Sequence, residues 1–174
     1  MKFVLNNALE LLERTPRVVD SLLQDISDDW STGSPVEGSW SPYDIVGHLI
    51  HAEKTDWIPR MRIILSNGTD RKFEPFDRNA QFSESKGKSL RQLIDEFALV
   101  RDENIAILKK RHLTEGDLRK TGVHPEFGEV TLEQLLATWV VHDLNHLSQI
   151  ARNMAMRYHA EVGPWKNYLS ILNR

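Results

Sequence analysis

Three of the seven histidines in this chain have the spacing and neighbours that metal chemistry requires. His142 and His146 lie in HDLNH, four residues apart, inside an apolar run from Leu135 to Ile150. In a helix that spacing puts both imidazoles on one face, with Cβ atoms about 5–6 Å apart. Both rings can then reach one divalent ion at about 2.0–2.1 Å. His48, in GHLIHAE, lies among Ile45, Leu49 and Ala52 and leans toward a core. It is the candidate third ligand from a second helix. Three protein nitrogens with open positions remaining is the arrangement of a catalytic metal, not of a closed structural one.

Each histidine also has a plainer reading. A single helical histidine is most often a hydrogen-bonded core residue or a half-exposed one. The pair weakens that reading, because two buried neighbouring imidazoles need partners and repel when both are protonated. His51 is an alternative ligand, but it is turned about 60° from His48 around the helix axis, toward Glu53 and Lys54. Asp143 and Glu53 are candidate fourth ligands or bases. Asp143 points about 100° away from His142 and is expected to face solvent or orient a ring. Glu53 is expected to be solvated or paired with an arginine. Asn145 and Gln149 are candidate hydrogen-bond partners for the rings. His112, His124 and His159 fall near polar or loop sequence and carry no assigned role. The five tryptophans, Trp40, Trp57, Trp139 and Trp165 among them, are expected to pack.

The elements that must position these residues are helical. Residues 3–13 form a first segment, and Thr15 with Pro16 starts a second through 26. Residues 27–38 are a polar loop. Ser41, followed by Pro42 and Asp44, caps a helix over 42–65, with a kink expected at Pro59. Residues 70–88 are a long polar crossover. Ser89 with Gln92 opens a third helix through Leu108, and Thr131 with Gln134 opens the helix holding His142 and His146. Between them, 113–130 is a second crossover, in which GEVTL is locally extended. Residues 165–172 form a short terminal helix. The fold expected is all-α, one domain over 1–174, a four-helix bundle with two long connections.

Composition narrows the partners. The chain has 174 residues, a formal net charge of −3 and no cysteine. Any metal is therefore held by nitrogen and oxygen, and thiol nucleophiles and disulfides are excluded. No basic stripe points to nucleic acid. No apolar window is long enough for a membrane span, and the N-terminal stretch is broken by Asn6, Asn7 and Glu10, unlike a secretory leader. A cytoplasmic location is expected.

The blocks GSWSPYDIVGHLIHAE, VTLEQLLATWVVHDLNHLSQIARNM and GPWKNYL together resemble the DinB-like superfamily of four-helix-bundle proteins. The likeness runs from about Leu9 to Leu172. It implies a metal held by one histidine of the second long helix and two of the fourth, which fall here on His48, His142 and His146. It also implies zinc or nickel as the ion, water in the open positions, and a homodimer as a common assembly. Some members are transferases or isomerases using a low-molecular-weight thiol such as bacillithiol, mycothiol or glutathione. The function expected is a metal-dependent enzyme that activates such a thiol, or water, for attack on a small electrophile. The rival is a non-catalytic metal-binding or stress-related bundle.

Overall fold

The computed structural model describes residues 2–173. The first bundle strut is two short helices, α1 (Leu5–Leu12) and α2 (Thr15–Leu23), and α3 (Asp28–Ser31) is a single turn in the polar loop. The second strut is α4 (Pro42–Thr55) followed by α5 (Trp57–Leu65). The break falls at Asp56, not at Pro59, because the N–H that proline lacks belongs to the first turn of a new helix, where it has no partner to lose. After α6 (Ala80–Glu84), the third and fourth struts are α7 (Leu90–Lys110) and α9 (Leu132–Met156), with α8 (Glu115–Leu118) between them.

Side-chain caps fix where the long helices begin. Ser41 Oγ accepts from the Asp44 N–H at 3.1 Å, and Asp44 accepts from the Ser41 N–H at 3.0 Å. Ser89 with Gln92 and Thr131 with Gln134 form the same reciprocal box. The all-α expectation needs one addition. Residues Thr121–His124 (β1) and Gly128–Thr131 (β2) form an antiparallel hairpin, and Val123 makes a further parallel bridge to Lys72 of the first crossover. The C-terminal segment forms 3₁₀ turns, Gly163–Tyr168 and Ser170–Leu172, in place of one helix.

The core has two apolar halves. One joins Leu12, Trp57, Met61, Leu108, Leu136 and Trp139; the other joins Val19, Leu23, Leu49, Leu93, Phe97 and Ile150. Along α4, α7 and α9 the residues between these halves are Glu53, Arg101 and Asp143, all buried. Of the two roles expected for Asp143, facing solvent does not hold: its carboxylate is buried and accepts two bonds from Arg101, at 2.6 and 3.0 Å. Glu53 accepts from Arg101 at 2.7 Å, from Asn104 at 2.9 Å and from the Trp139 indole at 2.9 Å. Burial alone would raise the pKa of Asp143. The Arg101 charge and hydrogen bonds from His142, Arg101 and Thr15 hold it below the ordinary carboxylate value instead. Among the described residues no helix is long and apolar enough to cross a membrane.

Candidate metal centre

The α4 and α9 struts pack on each other, and their contact brings His48 to His142 and His146. The Nε2 atoms of His48 and His142 are 3.2 Å apart, and those of His142 and His146 are 3.1 Å apart. One ligand atom from each ring lies within 4.8 Å of the others, the one such grouping among the described residues. Three nitrogens arranged tetrahedrally about an ion at ~2.05 Å would sit about 3.3 Å apart, so the spacing suits a metal.

Hydrogen bonding makes the same point. Gln149 Oε1 accepts from His146 Nδ1 at 2.8 Å, so the proton of that ring is on Nδ1 and the Nε2 lone pair faces the centre. Desolvation, followed by repulsion from the neighbouring rings, lowers the pKa of His48 to about 3; desolvation, then His142, lowers that of His146 to about 4. Both rings are therefore neutral near pH 7. With the His146 lone pair turned inward, a single imidazole proton cannot make two good hydrogen bonds across both short contacts. A cation shared by three lone pairs satisfies all of them. His48 Nδ1 is buried without a partner, so whatever meets Nε2 sets the tautomer of that ring.

The other candidates separate cleanly. His51 is buried, not turned toward Glu53 and Lys54, and its Nδ1 lies 3.1 Å from Glu84 on α6. Glu53 and Asp143 are committed to Arg101 and do not join the cluster. Gln149 is the ring partner; Asn145 is exposed and bonds neither ring.

The rings open into a cavity of about 620 Å³. Trp40, whose ring centroid is 4.7 Å from that of His48, and Trp57, which meets His142 edge-on at 5.1 Å, form part of its wall. Both pack as expected, Trp57 within the core and Trp40 against it, whereas Trp165 is largely exposed. Asp56, Arg60, Phe76, Arg78 and His124 also line the space. None of these was singled out by the sequence, and His124 was set aside. The hairpin and the first crossover bring them in by long-range packing, which leaves no local periodicity to read.

Known proteins agree with this architecture. YfiT from Bacillus subtilis, described as a probable metal-dependent hydrolase with an unusual four-helix bundle topology, superposes with a TM-score of 0.69 at 18% identity, over 84% of this chain and 83% of that one. TT2238, described as a four-helix bundle protein, superposes with a TM-score of 0.53 at 20% identity, over 85% of this chain and 98% of that one. At such identities the likeness establishes the fold. No curated protein sequence matches. The sequence profile of the DinB superfamily matches residues 11–150, a stretch that begins in α1 and contains the whole histidine cluster, and the chain belongs to that superfamily.

Proposed function

We propose that His48, His142 and His146 hold a divalent transition metal, zinc or nickel, and that the protein is a metal-dependent enzyme acting on a small electrophile. The observation that carries this reading is the convergence of three Nε2 atoms, one with its tautomer fixed by Gln149, at the edge of an open cavity. Such an ion supplies Lewis acidity that lowers the pKa of water or of a low-molecular-weight thiol in its free positions. The description of YfiT as a probable metal-dependent hydrolase supports the water branch, and the family resemblance supports the thiol branch.

The chain's own part is positional. Gln149 keeps the His146 lone pair aimed inward. Burial keeps His48 and His146 unprotonated, so they are available as ligands at neutral pH. Trp40 and Trp57 shield the rings on their apolar side and strengthen electrostatic interactions there.

The test is metal analysis of protein purified without added ions, then a screen of thiols and water against model electrophiles. About one ion per chain is expected, lost in His146→Ala. No uptake of zinc or nickel at micromolar concentration would overturn the reading.

A further inference from the structure

The cavity beside the three histidines carries recognition groups that a metal centre does not need. Trp40, Trp57 and Phe76 supply apolar walls suited to the body of a small organic molecule. Of its charged residues, Arg60 and Asp56 form a buried ion pair with each other. Glu126 is exposed at the hairpin turn. Arg78, likewise exposed, on the crossover before α6, has no ion pair or hydrogen bond among the described residues and lines the same space.

His124 is held in a defined state at the end of β1. The backbone N–H groups of Glu126 and Phe127 donate to its Nδ1 at 3.1 and 3.3 Å. The Phe127 ring stacks on the imidazole at 4.4 Å with the planes 13° apart. With the Nδ1 lone pair used, the ring hydrogen sits on Nε2, the one polar atom His124 has left to offer a ligand. A planar guanidinium and one neutral N–H donor bring a single positive charge. The guanidinium fork and the imidazole N–H suit the two coplanar oxygens of a carboxylate.

We propose that Arg78 and His124 form a subsite for the carboxylate of a small organic acid whose apolar part lies against Trp40, Trp57 and Phe76. This names the substrate class of the proposed metal enzyme and rests on that reading only for where the reacting atom lies. Arg78 and His124 are specificity-determining residues in this assignment.

Titration calorimetry of the zinc-treated protein with 3-phenylpropionate and with the neutral 3-phenylpropionamide tests it. Charge-assisted hydrogen bonds predict about tenfold tighter binding of the acid. The preference should fall below about twofold in Arg78→Gln, shrink in His124→Gln, persist in part in Arg78→Lys, and persist in full in Arg152→Gln, a residue outside this cavity. Equal binding of acid and amide to the unsubstituted protein would overturn the subsite. So would a preference undiminished in Arg78→Gln, since the carboxylate would then be held by the metal itself. Zinc content measured on the same samples separates the two ideas: an acid preference in protein that takes up no zinc upholds the subsite and removes the metal centre.

Discussion

Replacing Arg101 with methionine should destabilise the protein strongly, and in a pH-dependent way. The guanidinium is fully buried and donates four hydrogen bonds: two to Asp143, one to Glu53 and one to the Leu12 carbonyl at 2.8 Å. It also lies over the Phe97 and Trp139 rings at 5.0 and 5.1 Å. Methionine fills much of the volume but leaves two buried carboxylates with no cation. Breaking a buried pair in this way costs about 3–5 kcal/mol. For a chain of this size that is a fall in Tm of roughly 6–20 °C. The sign of the pH effect follows from Asp143. Its folded pKa is depressed, so in the native protein its contribution is full above the unfolded value and is lost as pH falls through the folded one. In the variant the burial of Asp143 is unopposed, its carboxyl is pushed toward the protonated form, and the gap to the native protein should narrow from pH 7 toward about pH 4.5. Differential scanning calorimetry across that range measures both effects. Adding Glu53→Gln and Asp143→Asn to Arg101→Met should recover part of the loss, because the buried charges are then gone. A Tm change below about 2 °C at pH 7, or a gap that ignores pH, would refute the claim that uncompensated charge is what Arg101 prevents.

Further expectations concern the site and the hairpin. Gln149→Ala should weaken zinc binding by about 10–100-fold in a chelator-competition assay, since the His146 tautomer is then free; an unchanged affinity would remove Gln149 from the centre. Metal-free protein should lose stability as pH falls from about 6.5 toward 4, because the unfolded chain takes up protons that folded His48 and His146, with pKa values of about 3 and about 4, refuse. Bound metal should offset that loss by about 2.7 kcal/mol at a hundredfold excess over Kd, seen as a Tm increase reversed by chelation. Gly122→Ala should cost about 1–3 kcal/mol in urea unfolding, since its Cβ would fall 2.5 Å from the Phe73 ring and 2.9 Å from Ile64 Cγ1.

The helix starts and the histidine cluster were legible in the sequence because both are written locally. Ser41, Ser89 and Thr131 each carry their reciprocal partner three residues on, and His142 and His146 carry their own spacing. The solvent-facing alternative for Asp143 failed because its angle was measured from His142. Measured from the buried stripe Trp139, Asp143, His146 and Ile150, spaced 4-3-4, it is a core position. α9 packs against α1, α4 and α5, so more than one of its faces is enclosed and no single residue defines an outside. Arg78 and His124 were illegible for a different reason. They reach the cavity only through the bridge between Lys72 and Val123 and the close approach at Gly122, contacts set by tertiary packing.

The ion cluster and the histidine cluster are mechanically one device. Glu53 lies five residues after His48 on α4, and Asp143 lies one residue after His142 on α9. Arg101 on α7 grips both carboxylates, so it fixes the separation of the two helices within two turns of the three rings. Gly47 adds a second constraint one residue before His48. A Cβ there would meet Ser85 Oγ at 2.3 Å and Gln81 Cβ at 3.2 Å, so α4 and the end of α6 approach closely enough that a side chain at 47 would displace the Ser85 hydroxyl and crowd Gln81. Burial and the neighbouring rings keep His48 and His146 unprotonated, so no charge on those two rings draws the site together. The approach of the rings to 3.1–3.2 Å is therefore imposed by the scaffold, in which the buried Arg101 pairs with Glu53 and Asp143 tie α4 and α9 to α7. Buried ion clusters are poor investments for stability alone. Here the cluster acts on position, holding open a gap that three nitrogens share.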